Sequence, residues 1–149
     1  MTEAFRGAKL AILVGDRVLA ILRDDLDHIA FPDHWDLPGG GREGDEDPET
    51  CALRETFEEL GLVIDRHRLG WKRRYAETPP DSTPSWFFVL RDDGFDPAAV
   101  RFGDEGQAWA LMPVAEFVAH PKAVPHIVLR LAEYLRQNGS GGTGGSDPR

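Results

Sequence analysis

The stretch from Gly40 to Leu62 reads GGREGDEDPETCALRETFEELGL. It combines a glycine turn, an acidic loop, a helix start, a group of carboxylates and a helix stop. Asp47 is a favoured N-cap residue, and Pro48 suits the first helical position because its missing N–H would have no intrahelical partner there. Gly61 can adopt the positive φ that ends many helices. The stretch therefore predicts a helix that begins at Pro48 and stops before Gly61.

The expected helix has two contrasting faces. Leu53, Phe57 and Leu60 recur at helical spacing and predict an apolar, core-facing stripe. The opposite face carries three carboxylates within an arc of about 100°, namely Glu55, Glu58 and Glu59. Like charges at this spacing repel, and a hard divalent cation would relieve the repulsion. An ordinary solvated acidic face is the alternative, and the carboxylates alone leave both interpretations open.

The whole stretch resembles the signature of the Nudix hydrolases, in which conserved types of residue recur at fixed spacing. The matching residues are Gly40, Glu46, Arg54, Glu55, Thr56, Glu58, Glu59, Gly61 and Leu62. Thr56 departs from the pattern, which has an aliphatic residue there, but Thr is β-branched and close to Val in size. The resemblance implies an α/β fold, an α/β/α sandwich with a mixed β-sheet between helices.

Apolar runs place further elements along the chain. Strands are expected at 8–14, 18–22, 69–75, 85–90 and 107–112. Short and long helices are expected at 113–119 and 125–137, the second with an apolar face. Loops are expected at 77–84, which holds three prolines, and at 92–106, with a turn of helix near Pro97. This order suits a mixed sheet covered by helices. We assign 1–138 to one Nudix hydrolase domain and 139–149, rich in Gly and Ser, to a flexible tail.

Composition narrows the classes of function. The chain has 149 residues, 41% of them hydrophobic, and a net charge of −9. No run of Lys and Arg is present, which argues against binding of a nucleic-acid polymer. Cys51 is the single cysteine, so no intrachain disulfide can form. No apolar run approaches the roughly 20 residues of a membrane span, and no secretory signal is visible, so we expect no membrane partner and a cytoplasmic location.

The resemblance also implies a chemistry. Nudix hydrolases cut the pyrophosphate of a nucleoside diphosphate linked to another group, with a divalent ion that is here expected to be Mg²⁺, or alternatively Mn²⁺. By resemblance Glu58 and Glu59 are the chief metal ligands, and the carbonyl of Gly39 is another. Glu55 is either a further ligand or the group that accepts a proton from water, and Arg54 orients the glutamates.

A second segment, Gly103-Asp104-Glu105-Gly106-Gln107, resembles the distal Glu-Gly-Gln segment of the branch that cleans nucleoside triphosphates. Glu105 would then reach the metal site as a ligand and catalytic group, and the alternative is a loop acid at a turn. The general base stays open between Glu55, Glu105 and Asp104. Glu46 would support the loop or an outer shell of the metal. The catalytic assignments are Arg54, Glu55, Glu58 and Glu105.

The substrate is less defined than the reaction. Nucleoside triphosphates, sugar nucleotides and dinucleoside polyphosphates all stay open, and residues 120–125 lack the Asn that reads oxidised guanine in one branch of the family. Substrate binding is assigned to Arg23, Trp35 and Leu37. A small nucleotide is the expected partner, and a homodimer is a further expectation without a located interface. The alternative function is a non-catalytic Nudix-fold module that binds or senses a nucleotide.

Overall fold

The computed structural model describes residues 3–76 and 83–138. In chain order its strands and helices are β1 (Gly7–Val14), β2 (Arg17–Leu22), β3 (Trp35–Asp36), β4 (Gly39–Gly41), α1 (Pro48–Leu60), β5 (Trp71–Tyr75), β6 (Ser85–Arg91), β7 (Ala108–Pro113), α2 (Val114–Ala119) and α3 (Pro125–Gln137). Two short 3-10 helices cover Arg66–Arg68 and Pro97–Ala99. The expected tail at 139–149 and residues 77–82 of the expected loop lie outside the described residues, so these two expectations stay predictions.

The chain divides into two units. The first comprises Met1–Ile12, Pro38–Leu90 and Asp96–Asp104. The second comprises Leu13–Leu37, Arg91–Phe95 and Glu105–Arg149. The assignment of 1–138 to one domain stays a prediction.

In the first unit, β1 and β4 form an antiparallel pair in which Gly7 lies opposite Gly41 and Lys9 opposite Gly39. β5 and β6 form a second antiparallel pair. The centre of β6 is fully buried from Phe87 to Leu90, as its continuous apolar sequence predicts. The glycines of β4 therefore lie directly against the backbone of β1, where they lead into the loop before α1.

Local signals set both ends of α1. The Asp47 carboxylate accepts a hydrogen bond from the Thr50 N–H over 2.8 Å, which caps the first turn. Gly61 adopts φ 69°, and its N–H donates to the carbonyl of Phe57 over 2.8 Å. Both predicted ends of the helix are confirmed.

The buried face of α1 differs from the expected apolar stripe. Phe57 is 54% exposed and Leu53 is half-buried, so Leu60 is the one residue of the expected stripe that is buried. The other buried positions of the helix are Cys51, Ala52 and Thr56. Small side chains allow the backbone of α1 to approach its neighbours closely. The prediction of an apolar stripe was therefore right for Leu60 and wrong for Phe57, because small residues occupy the other buried positions.

In the second unit, the end of β1 and β2 form the predicted hairpin, with Leu13 opposite Val18. β2 also pairs antiparallel with β3 and with β7. α2 buries Phe117, and α3 buries Ile127, Leu131 and Tyr134, which belong to the expected apolar face. The short helix and the terminal helix are both confirmed, within one residue at the start of α2.

No helix among residues 3–76 and 83–138 is long and apolar enough to cross a lipid bilayer.

Candidate metal and catalytic site

Gly39 and Gly40, in the glycine turn that precedes α1, have no room for a side chain. Gly39 has φ +132°, and a Cβ atom there would lie 2.2 Å from the carbonyl oxygen of Ala8. A Cβ on Gly40 would lie 2.7 Å from the carboxyl carbon of Glu55. Only glycine therefore lets the β4 backbone contact β1 on one side and a carboxylate of α1 on the other.

Two further contacts join the turn to α1. The N–H of Gly39 donates a hydrogen bond to Oε1 of Glu59 over 2.9 Å. The thiol of Cys51 lies 3.5 Å from the carbonyl oxygen of Gly40, to which it donates. Burial, together with the nearby charge of Glu46, raises the pKa of the Cys51 thiol to about 12. A thiol with this pKa is neutral at physiological pH, so Cys51 packs as a small apolar side chain.

Arg54 is the centre of the acidic cluster. Its guanidinium makes two hydrogen bonds to the Glu46 carboxylate, over 2.8 and 3.1 Å, and one to the carbonyl of Gly41 over 2.9 Å. Its Nη1 atom donates to Glu55 over 3.1 Å and to Glu58 over 3.2 Å. These bonds raise the pKa of Arg54, and the same guanidinium holds the pKa of Glu46 below its ordinary value. One cation therefore fixes three carboxylates and the loop.

The three carboxylates of α1 have different surroundings. Burial raises the pKa of Glu55, although the hydrogen bond from Arg54 and the charge of Lys9 oppose this effect. The Glu58 side chain is 52% exposed, whereas that of Glu55 is 16% exposed. Glu59 is half-buried and faces the glycine turn through its bond to Gly39. Of the three carboxylates, Glu55 is therefore mostly buried, Glu58 is exposed, and Glu59 is bound to the backbone of the glycine turn.

Lys9 also belongs to this cluster, although the sequence interpretation missed it. Its Nζ atom donates to the carbonyl oxygen of Gly39 over 3.1 Å. β1 reads GAKLAILV, and Lys9 is its single charged residue. A lone lysine within an apolar strand was therefore the signal that could have identified it, since such residues are seldom buried without a partner.

The oxygen atoms of this cluster suit a divalent cation, although the side chains of Arg54 and Lys9 hold several of them in this structure. No three acidic, His or Cys side chains among residues 3–76 and 83–138 are arranged to hold a metal ion directly. Arg54 bridges Glu55 and Glu58, and the Lys9 ammonium holds the Gly39 carbonyl. Carboxylate and carbonyl oxygens are the ligands that Mg²⁺ and Mn²⁺ prefer, and the same oxygens already bind positive charge here.

The remaining predicted site residues belong to the second unit. Glu105 lies in an exposed bend after Gly103. Arg23 donates to the buried Asp36 carboxylate over 3.1 Å, and Trp35 is half-buried in β3. Leu37 is 1% exposed. The structure thus brings together Gly39, Glu46, Arg54, Glu55, Glu58 and Glu59, and the site roles of Glu105, Arg23, Trp35 and Leu37 stay predictions.

Comparison with known families bears on the same residues. The model of the NUDIX domain matches residues 5–131, which is most of the chain. This chain belongs to the Nudix hydrolase family. The match includes the glycine turn, Arg54 and all the carboxylates of α1, so the resemblance seen in the signature extends well beyond it, over residues 5–131.

Solved Nudix structures share this fold at low sequence identity. A bifunctional NMN adenylyltransferase/ADP ribose pyrophosphatase from Francisella tularensis, complexed with AMP and an Mn ion, is 18% identical with a TM-score of 0.73. That match covers 92% of this chain and 42% of the other. A MutT NUDIX hydrolase from Burkholderia pseudomallei is 20% identical with a TM-score of 0.65, covering 87% and 98%. These matches confirm the predicted Nudix fold class, α/β with a mixed β-sheet and helices.

A curated relative of this Nudix hydrolase matches over a short stretch. Diphosphoinositol polyphosphate phosphohydrolase 3-alpha from Mus musculus is 50% identical over 32 residues. The stretch covers 22% of this chain and 20% of that protein. The match thus spans about a fifth of the relative's length.

Proposed function

We propose that this Nudix hydrolase cuts the pyrophosphate bond of a nucleoside diphosphate linked to another group, with Mg²⁺ as its divalent ion and Mn²⁺ as a substitute. The observation that carries the proposal is the convergence of the Gly39 backbone, the Arg54 guanidinium and the carboxylates of Glu55, Glu58 and Glu59 within the first unit. A small nucleotide-like substrate is the partner, and the cytoplasm is the proposed location.

Each residue of the site has a distinct role in this proposal. Glu58, Glu59 and the Gly39 carbonyl would hold the ion, which when bound supplies positive charge for the phosphate oxygens and lowers the pKa of water. The bond from the Gly39 N–H fixes the Glu59 carboxylate. Arg54 keeps Glu55 and Glu58 close together by donating to both. Positions fixed in advance reduce the reorganisation needed when charge develops on the substrate.

Glu55 is the proposed acceptor of the proton from the attacking water. Its side chain is mostly buried, and burial raises its pKa, which makes it a better base than a fully solvated carboxylate. Glu105 and Asp104 stay alternatives for the same role. Glu55→Gln should therefore lower kcat by about 10²- to 10⁴-fold, the usual contribution of a general base.

The substrate class is proposed from chemistry and from the comparisons together. Nucleoside triphosphates, sugar nucleotides and dinucleoside polyphosphates all present two phosphates joined by an anhydride to such a site. The names of the relatives add ADP-ribose and a diphosphoinositol polyphosphate as candidates. A binding or sensing module without turnover is the alternative, and four signature acids with their orienting arginine argue against it.

The deciding experiment measures phosphate, pyrophosphate and mononucleotide release from a panel of these five classes, with Mg²⁺, with Mn²⁺ and with a chelator. We expect metal-dependent turnover of one class. Glu58→Gln and Glu59→Gln should lower it by more than about a hundredfold, since even residues behind metal ligands cost 10- to 100-fold.

Glu116→Gln is the matched control, because Glu116 is an exposed carboxylate of α2. Wild-type rates in the Glu58 and Glu59 variants would contradict the proposed site. Tight nucleotide binding without any metal-dependent product would favour the binding module.

A further inference from the structure

Lys9 is placed where an ion would compete with it. Its ammonium lies 3.1 Å from the carbonyl oxygen of Gly39, which the proposed function makes a metal ligand. Register fixes this contact, because Lys9 lies directly opposite Gly39 in the antiparallel pair of β1 and β4. The position of Lys9 therefore depends on strand pairing and not on a mobile loop.

The positive charge of Lys9 lies between buried residues and close to an acidic side chain. Lys9 is half-buried, and the residues on either side of it, Ala8 and Leu10, are buried. Its charge also acts on the Glu55 carboxylate, which lies against Gly40. Arg54 thus bonds to three of the signature carboxylates, Glu46, Glu55 and Glu58, and the charge of Lys9 acts on one of them, Glu55.

The two cations hold different carbonyl groups of the glycine turn. Arg54 holds carboxylates and the Gly41 carbonyl, whereas Lys9 holds the carbonyl of the residue whose N–H fixes Glu59. A guanidinium with several partners is a rigid support, but an ammonium on a flexible four-carbon stem can change partners. Lys9 is therefore the cation of the pair that can leave.

We propose that Lys9 exchanges partners during binding: its ammonium holds the Gly39 carbonyl until a divalent ion takes that oxygen, and it then binds a phosphate oxygen of the substrate. The inference rests on the metal site of the proposed function. A cation released beside a metal ligand stays close to any phosphate that the same metal holds, and a compact ammonium is a common phosphate binder. Lys9 would therefore weaken the binding of the ion alone and strengthen the binding of the ion together with a diphosphate.

The test is calorimetric titration of Mn²⁺ into the wild-type chain, Lys9→Met, Lys9→Arg and Lys72→Met. Lys72 is the control, because it is an exposed lysine of the same unit that pairs with Glu49 over 3.2 Å. We expect Lys9→Met to bind Mn²⁺ about tenfold more tightly, since a nearby like charge is removed. Lys9→Arg keeps the charge and should stay near wild type, as should Lys72→Met.

The second titration adds methylenediphosphonate, a diphosphate analogue that cannot be hydrolysed, to each protein at saturating Mn²⁺. Lys9→Met should bind it about tenfold more weakly than wild type. A purely structural lysine would instead lower stability and weaken both ligands, or neither. Opposite shifts for ion and diphosphonate are therefore the signature of the exchange.

The outcomes separate this inference from the proposed function. Wild-type chain that binds Mn²⁺, with unchanged or weaker affinity in Lys9→Met, would overturn the role of Lys9 and leave the metal site intact. Tighter Mn²⁺ binding with unchanged diphosphonate affinity would overturn the exchange. Wild-type chain that binds no Mn²⁺ would overturn the metal site and the role of Lys9 together.

Discussion

Gly39 and Glu59 are joined by a hydrogen bond of 2.9 Å from a backbone N–H to a carboxylate oxygen. The carbonyl of the same glycine accepts from Lys9 over 3.1 Å. Both polar atoms of one backbone residue thus take part in the site, one by fixing an acid and the other by holding a cation. The site depends on the conformation of a single glycine as much as on its acidic side chains.

Gly39→Ala should destabilise the fold. Its φ of +132° is strained for any L side chain, and the new Cβ would meet backbone atoms that cannot move away. Strain of this kind costs about 1–3 kcal/mol before the clash is counted. Urea unfolding of the variant measures the loss. Gly41→Ala is the control, because a Cβ there meets nothing within 4 Å, and equal losses in both variants would contradict the argument.

Gly40→Ala should separate activity from stability. The added Cβ would lie 2.7 Å from the Glu55 carboxyl carbon, which is the far end of a flexible side chain. Glu55 can rotate away, so we expect the free energy of unfolding to fall by less than about 1 kcal/mol, as for mild substitutions. Turnover should fall as far as in Glu55→Gln. A stable variant with normal kcat would show that Glu55 need not occupy its present position.

Leu60→Ala and Phe57→Ala should differ in cost. Leu60 is fully buried on α1, whereas Phe57 is 54% exposed. Removing the Leu60 side chain should lower the free energy of unfolding by about 2–5 kcal/mol. Removing the Phe57 ring should change it by about 0.5 kcal/mol. Comparable losses of unfolding free energy in the two variants, measured by chemical denaturation, would show that Phe57 also packs into the protein.

Lowering the pH should destabilise the folded state, because Glu46 becomes protonated. Its pKa lies below the ordinary value of 4.5, chiefly because Arg54 donates to it. A depressed pKa means that the folded state favours the ionised form, so this contribution is present above pH 4.5 and is lost as pH falls through the lower, folded-state value. Glu46→Gln should remove this part of the acid dependence of unfolding, measured between about pH 6 and pH 3.

Asp45→Asn is the control for Glu46→Gln. Asp45→Asn changes a neighbouring, exposed carboxylate whose charge takes no part in the Arg54 cluster as described. It should keep the acid dependence of the wild type. An identical acid profile in wild type and Glu46→Gln would mean that the ion pair with Arg54 adds no stability.

The predictable parts of the molecule were those set by local chemistry. Asp47 and Gly61 were identifiable as helix ends because capping depends on a few adjacent residues. Spacing alone also placed Glu55, Glu58 and Glu59 together. The buried face of α1 was only partly predicted, because Cys51, Ala52 and Thr56 share it with Leu60 and carry little hydrophobicity.

Contacts made across strands could not be read from any one segment. Lys9 reaches Gly39 through a strand pairing that joins residues thirty positions apart. Its partner depends on register, which a one-residue slip would change completely. Thr56 gives a smaller example: its hydroxyl donates to the Ala52 carbonyl over 2.8 Å, which lets a polar residue occupy a buried position of the signature.

The buried thiol of Cys51 reports on separation of α1 from the glycine turn. A pKa of about 12 and a position between α1 and Gly40 protect the sulfur from alkylating reagents while the helix and turn stay together. Any labelling by iodoacetamide must then pass through a transient opening that separates the two. Because the chain has one cysteine, the labelling rate reports on those openings without an introduced probe.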